Sequence, residues 1–307
     1  MIYTCTLNPS VDYVVELTDF HFGELNRATK TAFFPGGKGI NVSRVLKRLG
    51  VDNTAFGFIG GFTGNFITDA LKKEQIHCDF VEVDGDTRIN IKLKASIETE
   101  INGQGPLVSD KDQQQLIDRI ERLQEGDFLV LAGSLPPSLP AHFYITMMET
   151  AKKKGVHVVV DTSGDALKQA IANKPFLVKP NQFELGELFE TTIRSHEEII
   201  TYGKKLIEDG VEHVIVSLAG DGAFFFHKDM TLFATVPKGV VKNSVGAGDS
   251  MVAGFLAAYV NGKSLEEAFR YSVAAGSATA FSEDLCTKVK VEQLLNEITI
   301  TRMGDFA

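Results

Sequence analysis

The sequence predicts an α/β protein with a mainly parallel central sheet, helices on both of its faces and a small inserted β-sheet lid. Three observations predict this. Residues 128–133, 156–160 and 214–218 are short apolar runs of strand length, as expected of strands covered on both faces. Amphipathic segments of helical length separate such runs, and that alternation favours crossover connections and parallel pairing. One stretch breaks the alternation: residues 88–95 have period two, with Ile89, Ile91, Leu93 and Ala95 on one face.

In order along the chain, residues 2–7 (Ile-Tyr-Thr-Cys-Thr-Leu) form a β-rich run that Asn8-Pro9-Ser10 ends. Residues 11–17 and 28–34 are two further strand candidates. After Gly36-Gly37-Lys38-Gly39, apolar residues at Ile40, Val42, Val45, Leu46 and Leu49 give helical spacing, and Gly50 closes that helix. Residues 96–101 are a partner strand for 88–95. The run at 128–133 leads to a helix over 142–154. Strands follow at 156–160, which Asp161 ends, at 176–178 and at 214–218. The C-terminal third is expected to be helical, over 247–261 and 265–282. No internal repeat or low-complexity linker interrupts the chain, so residues 1–307 are expected to form one domain. Its lid would be a small antiparallel sheet built from about 11–34 and 88–101. One apolar face of such a sheet needs a cover, which predicts a homodimer with two lids packed together.

Composition narrows the function classes. Hydrophobic residues make up 44% of the 307 and charged residues 23%, ordinary values for a globular chain able to bury a substantial core. The formal net charge is -9, and the densest basic run, Lys152-Lys153-Lys154, falls at a helix end, so no nucleic-acid groove is expected. No apolar run approaches membrane-spanning length and no signal-peptide pattern precedes the first strand, so a cytoplasmic protein is expected. Cys5, Cys78 and Cys286 are odd in number and far apart, which suits reduced thiols better than a disulfide frame or a zinc site.

The richest chemical signal is Asn243-Ser244-Val245-Gly246-Ala247-Gly248-Asp249-Ser250, small residues leading into a long helix. A helix N-terminus presents unpaired N–H groups and the positive end of a dipole, and glycines let a phosphate approach them. Asp249 in the first turn would then lie beside that phosphate; the plainer alternative is an acid that merely favours the helix start. Gly262-Lys263-Ser264 ends like a phosphate-binding loop, but Ala257 stands where the first glycine belongs and it joins two helices, so it is a turn. A second cluster, Gly36 to Asn41, brings a lysine and an amide to another helix start, fit to grip a hydroxylated or anionic ligand. Two such starts suggest two ligands meeting in one crevice. No Gly-x-Gly-x-x-Gly follows a strand, which argues against a dinucleotide oxidoreductase.

These strings, with Asn8-Pro9-Ser10-Val11-Asp12, Gly133-Ser134-Leu135-Pro136, Lys179-Pro180-Asn181 with Glu184, and Ser217 to Gly222, resemble the ribokinase/PfkB carbohydrate kinase family over essentially the whole chain. The resemblance implies a ribokinase-like fold and transfer of a phosphoryl group from ATP, with Mg2+, to a small sugar phosphate. It implies Asp249 as the base and the N–H groups of Gly246, Ala247 and Gly248 as the anion hole. Asp12, Gly37 and Asn41 would bond the sugar hydroxyls. Lys38, Arg88 and Arg27, with Ser134, would hold the phosphate that the substrate already carries. Lys179, Asn181 and Glu184 would face the ATP phosphates, with Glu184 also at the metal, and Ser217, Gly220 and Gly222 would border the nucleotide. Asp161 and Asp221, at strand ends, are expected to be turn residues. The substrate implied is fructose 1-phosphate, converted to fructose 1,6-bisphosphate; the alternatives are tagatose 6-phosphate or fructose 6-phosphate. A non-catalytic sugar-phosphate sensor is a further alternative, against which an acid at 249 argues, since a sensor needs no base.

Overall fold

A computed structural model of the protein describes residues 1–140 and 142–304. The chain opens with β1 (Ile2–Thr6), β2 (Ser10–Glu16), β3 (Lys30–Gly36), α1 (Lys38–Arg48), β4 (Asn53–Ile59) and α2 (Gly61–Lys73). Then come β5 (His77–Cys78), β6 (Val81–Glu82), β7 (Arg88–Lys94), β8 (Thr99–Asn102) and α3 (Asp110–Ile120). The middle of the chain is β9 (Phe128–Ala132), α4 (Phe143–Lys153), β10 (His157–Asp161), α5 (Gly164–Ala172), β11 (Leu177–Val178), α6 (Gln182–Leu188) and α7 (His196–Glu208). It ends with β12 (His213–Ser217), β13 (Ala223–His227), β14 (Met230–Ala234), α8 (Ala247–Val260), α9 (Leu265–Ala280), α10 (Lys288–Leu294) and β15 (Ile300–Met303).

Across the main sheet the strands run β15-β14-β13-β12-β11-β10-β9-β1-β4-β5, with β6 also on β4. Pairing is parallel from β12 to β4, as the alternation predicts, because each crossover returns through a helix. Successive residues of β9 divide between two cores: Leu129 and Leu131 pack with α3, α4 and α7, while Phe128, Val130 and Ala132 pack with α1, α8 and α9. In the C-terminal third the two expected helices form as α8 and α9, but the strands around them were not expected. β13, β14 and β15 add an antiparallel edge there, and Phe224-Phe225-Phe226 in β13 is wholly buried. Burying each such ring stabilises the fold by roughly 1.5–3 kcal/mol. Successive rings point to opposite faces, Phe224 and Phe226 into one core and Phe225 into the other, which is the alternation of a strand covered on both sides.

The lid is a separate sheet in the order β3-β2-β7-β8. It is not the all-antiparallel sheet expected. β3–β2 and β7–β8 are antiparallel, but β2 pairs with β7 in parallel, Asp12 opposite Asn90. The reason is connectivity: β3, α1, β4 and α2 intervene between β2 and β7, so no hairpin constrains their direction. Strand β3 also starts at Lys30, two residues later than predicted, and α1 at Lys38, two residues earlier. Among the described residues no helix is long and apolar enough to cross a membrane.

Candidate active site

The parallel strands β1, β9, β10, β11 and β12 all end at one side of the sheet, where α/β folds place their crevices. Thr6, Gly133, Asp161, Lys179 and Ser217 at or just past those ends line a cleft of about 1420 Å³. The N-termini of α1 and α8 and the polar inner face of the lid complete its walls. Single small-ligand pockets are roughly 300–1,000 Å³, so the cleft has room for two molecules side by side.

Helix α8 is apolar all round because it lies between the sheet and α9; residues 249–258 are all buried, which fixes its N-terminus in place. Gly246 starts it in the left-handed conformation, φ 79°. Gly248 faces Lys179: a Cβ there would sit 2.9 Å from Lys179 Nζ, so the tip of that side chain would have to shift. Of the three predicted anion-hole groups, the Ala247 N–H already donates to Ser244 O at 3.2 Å, while Gly248 lies in the first turn, where N–H groups lack helical partners. Asp249 is 6% exposed, and its Oδ2 accepts from Asn41 Nδ2 at 2.8 Å. Burial, then the charge of Asp161, pushes its carboxyl up to about 6, while Asn41, Lys38 and Lys179 restrain the rise.

Asp161 is the main correction to the sequence reading. It is no surface turn residue: it is 0% exposed and lines the cleft. Its Oδ1 receives Lys38 Nζ at 3.1 Å and lies 3.5 Å from Lys179 Nζ, and Oδ2 has no partner among the described residues. Burial pushes its carboxyl up, but the two ammonium groups outweigh that and hold it below the usual carboxylate range. Lys38 is the mirror case: burial works against its charge, yet Asp161, Asp249 and Glu184 raise it well above the ordinary lysine value. Two lysines and two acids thus meet at the centre of the cleft. The turn that delivers Lys38 needs glycine at 37, which adopts φ 118° and where a Cβ would meet Thr6 Cγ2 at 2.7 Å.

At the lid end, Asp12 Oδ1 accepts from Ser10 Oγ at 2.7 Å and from Asn90 Nδ2 at 3.2 Å. Arg88 donates through Nε to Asn8 O at 3.2 Å and through Nη1 to Gly103 O at 3.3 Å. Both of these bonds go to backbone oxygens and none to a carboxylate among the described residues, and burial lowers the Arg88 pKa against the pull of Asp12. An arginine left without an acid inside a cleft suits an anionic ligand. Ser134 is exposed on the wall of the same cleft.

At the other end Lys179, Asn181, Glu184, Ser217, Gly220 and Gly222 line the cleft as a group. Asn181 and Glu184 cap α6 reciprocally: Asn181 Oδ1 accepts from Glu184 N and Glu184 Oε2 from Asn181 N, each at 2.8 Å. Glu184 therefore keeps Oε1 for a ligand. No three or more His, Cys, Asp or Glu side chains are grouped to hold a metal by themselves among the described residues. Magnesium does not need such a cage, since it is usually bound by one or two carboxylates plus substrate phosphates.

Arg27 is not brought to this cleft. It is exposed in the connection between β2 and β3, so the expected third cation of the phosphate clamp is absent from the cleft of its own chain. Asp221 is exposed in a short 3-10 turn, as predicted. Sequence reasoning missed Asn8, Asn90 and Thr6, whose side-chain oxygens are buried without partners among the described residues and which line the cleft. It also missed Val273, Gly276, Ser277 and Ala280, which α9 contributes to an apolar wall. Of the missed residues, Thr6 and Asp161 had a usable signal, their position at the C-terminal end of a parallel strand.

A nest of amides at a helix start, a buried carboxylate beside it and cations facing both, in a cleft wide enough for donor and acceptor, define a phosphotransferase. The chain belongs to the pfkB family of carbohydrate kinases, whose model matches residues 5–291. It is 57% identical over 303 residues to the 1-phosphofructokinase of Bacillus subtilis (strain 168), covering 99% of this chain and 100% of that protein. It is 43% identical over 304 residues to the D-tagatose-1-phosphate kinase of Bacillus licheniformis, covering 99% and 100%. The crystal structure of phosphofructokinase-2 from Escherichia coli in complex with fructose-6-phosphate matches with TM-score 0.91 and 31% identity, over 96% of this chain and 98% of that one.

Proposed function

We propose that this single-domain, lid-bearing cytoplasmic protein transfers the γ-phosphoryl group of ATP to the 6-hydroxyl of fructose 1-phosphate, giving fructose 1,6-bisphosphate and ADP. The observation that carries this is Arg88: a guanidinium without an acid partner at the lid end of a cleft whose centre holds Asp249 and the α8 N-terminus. A substrate spanning the two needs an anion at one end and a hydroxyl at the other. The 57% identity to a 1-phosphofructokinase supports the same substrate.

In this reading Asp249 takes the proton of the attacking hydroxyl. The N–H groups of Gly246, Ala247 and Gly248 receive the migrating phosphoryl group, with the Ala247 N–H leaving Ser244 O to do so. Lys38, expected at the substrate's own phosphate but held by Asp161 beside Asp249, instead compensates charge as it moves between the two molecules. Asp12, Gly37, Asn41 and Ser134 read the sugar, and Arg88 holds its phosphate. Lys179, Asn181, Ser217, Gly220 and Gly222 serve the nucleotide. Magnesium, bound to the nucleotide phosphates with Glu184 as its protein partner directly or through water, would neutralise charge on the transferring group. A coupled assay with Mg-ATP tests the substrate. Fructose 1-phosphate is expected to give the highest kcat/KM, tagatose 1-phosphate, tagatose 6-phosphate and fructose 6-phosphate lower ones, and free fructose almost none. A tagatose phosphate in first place would overturn the choice of sugar and leave the kinase intact; free fructose on a par with the phosphates would overturn the anion clamp.

We further propose a homodimer through the lid. The lid face turned away from the cleft carries Val11, Tyr13, Val15, Phe33, Ile89, Ile91, Leu93 and Ile101 by strand register. Phe33 is 54% exposed, Ile101 59% and Ile89 38%, a patch that a second copy of the same patch would cover. Light scattering at micromolar concentration is expected to report a dimer, and Ile101→Lys to shift it toward monomer. A wild-type monomer would count against the lid-to-lid packing.

A further inference from the structure

Helix α1 carries, one turn beyond Asn41, an arginine that the reaction does not use. Arg44 has only 7% of its side chain exposed. Its Nε donates to Glu74 Oε1 at 2.7 Å, while Nη1 and Nη2 grip both oxygens of Asp284 at 3.2 and 2.8 Å. Arg48, the next turn on, donates to Asp284 Oδ2 at 2.8 Å, to Glu74 Oε2 at 3.1 Å and to Leu285 O at 2.7 Å. The two arginines thus bind one short segment, residues 283–286, which follows α9.

That segment meets the start of α8 by three routes. Leu285 packs directly on Gly246, where a Cβ would come within 2.5 Å of its Cδ2. Glu283 O accepts from Asn243 Nδ2 at 3.2 Å, and Asn243 Oδ1 accepts from Val245 N at 3.1 Å. Cys286 N donates to Thr279 Oγ1 at 3.0 Å; that hydroxyl pairs with Ser250 Oγ at 2.7 Å, which donates to Gly246 O at 2.8 Å. Both ends of the linkage touch the reaction centre. Asn41, on the arginine-bearing helix, holds Asp249, and Gly246 begins the amide nest.

We propose that Asp284 is a positioning residue: clamped by Arg44 and Arg48, it fixes the amide nest of α8 relative to the Asn41–Asp249 pair. The assignment rests on the kinase reading of that nest and of Asp249. Four charges in a bidentate network hold a geometry that backbone packing alone leaves looser. Phosphoryl transfer depends on that geometry, since a displacement of about 1 Å costs on the order of 10²-fold in rate.

The test is steady-state kinetics of Asp284→Asn, Asp284→Ala, Arg44→Ala and the Arg44→Ala/Asp284→Ala double variant, well below each Tm. Asp52→Asn, which opens an exposed ion pair with Lys47 elsewhere on α1, is the control. Asp284→Asn is expected to lower kcat about 10- to 100-fold with both KM values within about twofold, and the double variant to lose less than the product of the singles. The acid limb of kcat is expected to move to higher pH, because Asn41 restrains the Asp249 carboxyl and would now hold it less well. Unchanged kcat with a lowered Tm would overturn the proposal and leave a purely structural cluster, as would a rise confined to KM for the sugar phosphate. Should Asp284→Ala fail to fold, Asp284→Asn keeps the shape and decides the matter. If the wild type prefers another sugar phosphate, the substrate reading falls and the same variants are scored on that sugar.

Discussion

Asp249→Asn is expected to lower kcat by about 10²–10⁴-fold, the usual loss when a general base is removed, with KM for ATP close to that of the wild type. The amide keeps the shape and can still pair with Asn41, so the cleft should persist. The wild-type carboxyl, raised to about 6, makes kcat fall as pH drops through that value, because only the ionised form accepts a proton. The stability consequence has the opposite sense. A carboxyl whose folded value lies above its unfolded 3.8 binds protons more tightly when folded, so ionisation weakens the fold as pH rises between the two values. At neutral pH the Asn variant should therefore have a Tm at or above that of the wild type. This separates lost chemistry from lost structure. Retention of more than about a tenth of wild-type kcat would remove Asp249 from the role of base.

The next largest effect is expected at the two cations. Arg88→Ala should raise KM for the sugar phosphate about ten- to a hundredfold, since a charged hydrogen bond contributes roughly 1.5–3 kcal/mol, and should leave KM for ATP nearly unchanged. Lys38→Ala should act differently. Its ammonium faces Asp161, Asp249 and Glu184, so removing it leaves the fully buried Asp161 with Lys179 alone and changes the field at the base. A fall in kcat should accompany its rise in KM. If Arg88→Ala handled the sugar phosphate normally, the anion pocket would lie elsewhere; if Lys38→Ala changed KM alone, Lys38 would belong with Arg88 at the resting phosphate and not at the transferring one.

Much of this site is legible in the amino-acid sequence. Asp249, Gly246 and Gly248 form a contiguous string, and the physics that links them, amide dipoles at a helix start, is local to a few residues. Gly37 and Lys38 are local in the same way. Residues whose role depends on a partner far along the chain are less legible. Asp161 reads as a turn residue in the sequence because its meaning comes from Lys38 and Lys179, which reach it from α1 and the end of β11. Asn90 gains its role only from lying opposite Asp12 in a parallel pair, where the strand pattern suggests an antiparallel one. Arg27 differs the other way: a cation that the family resemblance implied at the substrate's phosphate, carried by the β2–β3 connection out of its own cleft.

The sequence alone thus determined the alternation of strands and helices, the two glycine-bearing helix starts that line the cleft, and the class of reaction. Hydrophobic period, glycine conformation and helix dipoles act over one to three turns and are written into neighbouring residues. The tertiary structure alone decided the direction of β7 against β2, the antiparallel edge formed by β13 to β15, the central pair of lysines on Asp161 and the Arg44–Asp284 clamp. Each depends on which distant segments meet, and that is set by the burial of whole faces and by the cost of leaving a buried charge unpaired.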